Sequence, residues 1–192
     1  MRTLFWVVPV VVLLIGCGTK EPLIAEGEQA LKGIPFDAPR WVENPVVEGK
    51  LAASGGSPQV TGGLRFQQIE AAGRAKEALR NQIEIRSAQA AQAVLAMLMP
   101  EPASVVEVAQ TSRMLGLMVG AQAAKEFKRE EIWWSPSREH YVLFTIDRDL
   151  AKSLTAESIR LMIRSDETYW ERFVLAGDPQ MIESAVEQAF LP

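Results

Sequence analysis

The 192-residue chain has little of what most catalytic and metal sites are made from. It contains one cysteine, Cys17, so no internal disulfide can form. It has one histidine, His140. A zinc site needs further Cys or His ligands, and a catalytic triad needs an activated serine beside the histidine; no pattern marks either. There is no Gly-Lys-Ser/Thr, which excludes a phosphate-binding P-loop. There is no excess of positive charge: 20 Lys and Arg stand against 24 Asp and Glu. A mildly acidic surface argues against nucleic acid, which needs clustered cations to neutralise phosphates. The longest apolar run, Leu4 to Ile15, spans 12 residues, short of the ~20 a membrane-spanning helix needs.

What is present is ordinary globular material, 48% hydrophobic and 23% charged. Arg2 followed by the apolar run has the geometry of a secretory leader. Residues 1–16 are read as that signal peptide, 17–40 as a modified Cys17 and a flexible tether, and 41–192 as a single domain. The tether contains Pro22, Pro35 and Pro39; as a coil its reach is roughly 25 Å.

Leu64 to Met99 is the organising stretch. Leu64, Ile69, Ala72, Ala75, Leu79, Ile83, Ala90, Val94 and Leu98 recur mostly at helical steps, and Ala, Glu, Gln, Arg and Lys fill the rest. Glu70–Arg74 and Arg80–Glu84 are spaced as helical ion pairs. The length exceeds the usual helix of about 11–12 residues, which makes Ser87 the place for a kink. Leu51–Ser54 reads as a short strand before it, with Gly55 to Gly63 as a glycine-rich loop. After Pro100 and Pro102, Ser104 and Glu107 form a capping box. The second helix then carries Val105, Val108, Leu115, Met118 and Val119 on its apolar face, and Gly116 and Gly120 weaken its end. Met97, Met99, Met114 and Met118 stand at helical spacing and read as core filler.

Ala123 to Trp134 and His140 to Asp147 flank Ser135-Pro136-Ser137-Arg138, a turn, and so form a hairpin. Strict alternation puts Glu130 and Glu131 on opposite faces, which argues against their acting as an acid–base pair. Asp147 and Asp149 sit where capping explains them. Asp149 to Arg164 is a third helix; Glu167 to Ala176 is a fourth, closed by Gly177. Asp178-Pro179 opens a last helix with Met181, Ile182, Ala185, Val186 and Phe190 on its apolar side. The expected class is α+β: a small antiparallel sheet, one short strand plus a hairpin, packed on one long helix, with further C-terminal helices.

Trp133 and Trp134 are adjacent on a strand, so one ring enters the core while the other is partly exposed. An exposed tryptophan suits a partner hot spot or a sugar-stacking platform. With Trp41, which also suits a core plug at the domain entrance, they are the candidate partner-binding residues. No residue set points to a catalytic centre, a metal or a cofactor.

Leu14-Ile15-Gly16-Cys17 resembles the lipobox of bacterial lipoproteins. The resemblance implies lipid transfer to Cys17, cleavage after Gly16 and N-acylation of the new terminus. Pro39-Arg40-Trp41 with Asn44-Pro45, the strand Leu51–Ser54, the helical stretch Ile69 to Leu79 and Tyr141-Val142-Leu143-Phe144 extend the likeness. In order and spacing the chain resembles the Lpp-twenty type of outer-membrane lipoprotein. That family shares its domain with the N-terminal part of flagellar assembly protein T and with P-type flagellar lipoproteins. The resemblance implies a non-enzymatic lipoprotein of the bacterial outer membrane, anchored through Cys17, that self-associates or binds envelope proteins, including those of flagellar basal-body-associated assembly. The tryptophans supply the alternative, a lipoprotein that binds glycan or peptidoglycan.

Overall fold

The computed structural model describes residues 37–99 and 105–191. Cys17, the leader, most of the tether, the prolines at 100 and 102 and the Ser104 half of the capping box lie outside the described residues. Among the described residues the chain runs α1 (Arg40–Glu43), β1 (Lys50–Ser57), α2 (Leu64–Leu98) and α3 (Val105–Ala123). A 3₁₀ turn at Ala124–Glu126 leads to β2 (Lys128–Trp134) and β3 (His140–Asp147). Then come α4 (Arg148–Ser165), α5 (Glu167–Ala176) and α6 (Met181–Ala189). The architecture is α+β, with an antiparallel three-stranded sheet in the order β1-β3-β2 packed on α2.

α2 is unbroken for 35 residues. Ser87, the expected kink, is buried and shares a 2.8 Å hydrogen bond with Thr155 of α4, so its hydroxyl is satisfied across the core. The expected ion pairs form, Arg74–Glu70 at 2.7 Å and Arg80–Glu84 at 3.1 Å. The buried stripe starts Gln67, Ala71, Ala75, Leu79, Ile83, Ser87. Each four-residue step overshoots a helical turn by about 40°, so the stripe winds from the sheet toward the other helices. Leu64 and Ile69, expected on this stripe, are exposed, and Ala72 is only half-buried. Ile69 stands two residues from Gln67, roughly 200° around the helix, so it points away from the sheet.

The stripe is set by Gly55. A Cβ there would lie 2.3 Å from the Ala75 amide nitrogen and 2.5 Å from the Ala71 carbonyl oxygen. Gly55 and Gly56 therefore belong to the strand and not to the loop expected from their composition. They let backbone meet backbone, and the loop begins only after Ser57. Gly116 does the same between helices: its Cβ would stand 2.4 Å from the Glu84 carbonyl and 3.0 Å from Ala88. So close a seam between α2 and α3 leaves no room for long side chains. Met97, Met114 and Met118 are 56–60% exposed and do not fill the core as expected; only Met99, half-buried, packs against it. Val105 is exposed as well, and α3 buries Val108, Ser112, Leu115, Gly116, Val119, Gly120 and Ala123.

β1 and β3 are covered on both faces of the sheet. Leu51 and Ala53 of β1 and Val142, Phe144 and Ile146 of β3 join α2 in the main core. On the outer face Trp41 and Val42 of α1 pack on Ala52, Tyr141 and Leu143. Each large side chain so buried stabilises the fold by about 1.5–3 kcal/mol. α4 begins on Asp147, whose carboxylate accepts the Asp149 and Leu150 amides. α5 ends on Gly177 at φ 65°. α6 starts at Met181, two residues beyond Pro179, because Asp178 accepts from the Gln180 amide in a preceding turn. The expected apolar side, Met181, Ile182, Ala185, Val186 and Phe190, is buried in full.

Candidate functional site

The hairpin end carries Trp133 and Trp134, two of the three tryptophans singled out above. The turn is fixed from within: the Arg138 amide donates to the Ser135 carbonyl at 2.9 Å and the Ser135 amide to the Glu139 carbonyl at 2.9 Å. Glu139 is buried, and its carboxylate accepts from the Ser137 and Tyr141 hydroxyls at 3.1 and 3.3 Å. Gln67 of α2 clamps the turn by donating to the Ser57 carbonyl at 3.1 Å and the Arg138 carbonyl at 2.7 Å. Burial, with the nearby Glu139 carboxylate adding to it, pushes the Tyr141 hydroxyl up to about 12. Tyr141 therefore stays protonated and donates.

The three tryptophans do not form one platform. Trp41 is only 8% exposed and packs under the outer face of the sheet, so its reading as a partner contact is corrected to that of a core plug. Trp133 lies on the same face, half-buried, with its ring 5.5 Å from that of Tyr141. Trp134 is on the opposite face, opposite His140 in register. It is 39% exposed, with its ring 4.2 Å from the imidazole. It remains open because α2 packs on β1 and β3, and β2 lies beyond its reach; Ile132 is exposed for the same reason.

His140 is 2% exposed, and among the described residues neither ring nitrogen has a hydrogen-bond partner. Burial, with Arg129 adding to it, holds its pKa below the ordinary value. Ser57 stands opposite it across the strands, but the Ser57 hydroxyl donates to Glu70 at 2.7 Å instead. The imidazole is thus a buried neutral ring, not a base on a nucleophile.

A β-bulge between Arg129 and Glu131 breaks the strict alternation of β2. Glu130 and Glu131, expected on opposite faces, both lie toward the outer face. Glu131 opposes Leu143, while Glu130 accepts from Lys50 at 2.6 Å and from Thr145 at 2.8 Å. Those two bonds hold the Glu130 carboxyl below the usual range. Among the described residues no group of three or more His, Cys, Asp or Glu could hold a metal ion, and no helix is long and apolar enough to cross a membrane.

Two surface features escaped the sequence reading. Val106, Met114, Leu117 and Met118 form an apolar outer side of α3, each 43–66% exposed. On α5, Trp170 is 43% exposed beside a small cleft. Its signal was legible: Trp170 follows the buried Tyr169 on a helix with an apolar side. Compared with models of known protein families and with curated proteins, the chain matches none.

Proposed function

We propose that this protein is a lipid-anchored, non-enzymatic module of the bacterial envelope, held at the outer membrane through acylated Cys17 and acting by protein contacts. One observation carries the reading: the only cysteine of the chain falls at the end of the apolar leader, inside Leu14-Ile15-Gly16-Cys17. The chemistry needs a thiol to accept the lipid and a small preceding residue to fit the peptidase. One acyl chain anchors only marginally, and two or more anchor stably. The likeness to the Lpp-twenty type belongs to the same proposal, as does a place in flagellar basal-body-associated assembly. The uncovered outer side of α3 supports a contact with a second copy or an envelope protein.

Mass spectrometry of the protein from its native membrane tests the anchor. The expected product begins at a diacylglyceryl, N-acylated Cys17, and Cys17→Ala leaves the leader uncleaved. An unmodified thiol behind an intact Met1 overturns the reading. Trp134 favours the second reading, glycan binding, because its ring is open on a rigid hairpin. Cell-wall fragments are then expected to shift tryptophan emission in the wild type and not in Trp134→Phe; an unmoved wild-type spectrum removes that reading.

A further inference from the structure

Helices α4, α5 and α6 meet around a cleft of about 160 Å³. That is close to the cavity of about 150 Å³ known to admit benzene, so it has room for one aromatic or branched aliphatic group. Its walls are apolar. Ile163 of α4 and Ile182 of α6 are buried at the base, and Pro179 closes one side. Trp170 and Phe173 of α5 line another side with their rings 6.2 Å apart and inclined by 27°. Stacked rings with the outer one open to solvent offer a planar group a further layer.

The rim is cationic. Arg160 and Arg164 stand one turn apart on α4 and both line the cleft. Arg160 is paired with Glu183 of α6. Arg164 is exposed and, among the described residues, makes no hydrogen bond, ion pair or cation–π contact. Among the described residues no acidic side chain lines the cleft. An uncommitted guanidinium beside an apolar hollow selects an anion, and its planar fork fits a carboxylate through two parallel hydrogen bonds.

From this we infer that the α4–α5–α6 cleft is a binding site for an apolar or aromatic group joined to a carboxylate, the chemistry shared by a free aryl acid and by the C-terminal residue of a peptide. Trp170 and Phe173 take the apolar group, and Arg164 takes the carboxylate. The cleft does not depend on the fate of Cys17, so failure of the anchor leaves this inference standing, and the reverse.

The test uses the full chain in phospholipid nanodiscs, titrated with 3-phenylpropionate, with 3-phenylpropanamide, and with a short peptide ending in Phe as acid or amide. The acids are expected to produce a saturable change in tryptophan emission, with the amides about tenfold weaker. Arg164→Gln is expected to erase the preference for acid over amide while binding of the apolar group remains. Trp170→Phe is expected to remove the emission change while saturation-transfer NMR still detects the bound acid. A peptide acid that binds tighter than 3-phenylpropionate identifies a protein C-terminus as the ligand, and the opposite order identifies a small acid. No saturable change up to about 10 mM, a range that covers weak small-ligand sites, overturns the proposal. So does equal binding of acid and amide by the wild type, or an emission change that persists in Trp170→Phe.

Discussion

The two edge strands of the sheet, β1 and β2, solve the same problem in opposite ways. Among the described residues each has one side without a neighbouring strand, and an open row of amides and carbonyls invites unwanted pairing. β1 is made of Lys, Leu, Ala, Ser and Gly and is almost wholly buried. α2 lies so close that its side chains satisfy β1 directly: Arg74 donates to the Gly56 carbonyl at 3.0 Å and Gln82 to the Ala52 carbonyl at 3.2 Å. β2 has no such cover. It relies on Lys128, Arg129, Glu130, Glu131 and a bulge, all of which discourage another strand. Of the remaining three residues, Trp133 packs on Tyr141, while Ile132 and Trp134 are apolar, exposed and beyond the cover of α2. Small residues mark where this fold is tight, and large exposed ones mark where it has surface to spare.

The sharpest way to break the contrast is Gly55→Ala. Its methyl would press into the Ala71–Ala75 backbone, and a loss of about 3 kcal/mol is expected in urea unfolding. Ile132→Ala on β2 is expected to cost less than about 1 kcal/mol in the same assay; equal losses would erase the distinction.

The next effect is pH-dependent and belongs to His140, roofed by Trp134. Its folded pKa is lowered by burial, so above the unfolded value of about 6.5 both states are neutral and nothing changes. Below it the unfolded chain takes the proton first. Stability then falls, by at most about 1.4 kcal/mol per pH unit, until the folded imidazole also protonates. Comparing His140→Phe with the wild type between pH 7.5 and pH 5, a window of about one unit or more on each side of that value, isolates this component. Parallel curves would refute it.

Trp134→Ala is expected to cost about 1 kcal/mol and to let water reach His140. The single imidazole should then titrate nearer its ordinary value by NMR; an unmoved titration would show that Trp134 does not shield it. The smallest effect is that of Lys50→Ala, which removes the half-exposed pair with Glu130 that joins β1 to β2. About 0.5 kcal/mol is expected, and less at high salt.

Helices and hairpin were legible because their signals are local. The apolar spacing from Ala75 to Leu98, the Ser135–Arg138 turn and Gly177 each act within a few residues. Gly55 and Gly56 misled because a glycine in a tight seam and a glycine in a loop look alike in one dimension. The methionines misled because helical spacing says that residues share a side, not which side faces the core. The α2–α3 seam chose Ala88, Gly116 and Gly120. The four-residue α1 is too short to carry a period. Of the candidate site, Trp134 was legible as one of an alternating pair, whereas the cleft beside Trp170 depends on three helices converging, so the sequence of α5 marks the tryptophan but not the Arg164 that faces the same hollow.

α2 touches β1, β3, α3, α4, α5 and α6. It even holds the far end of the chain, where Arg86 donates to the Ala189 and Leu191 carbonyls at 2.9 and 2.7 Å. None of those six elements can peel away without stripping this shaft. The amides between Ala75 and Leu95 should therefore exchange with deuterium as one slow class, each opening only when everything opens.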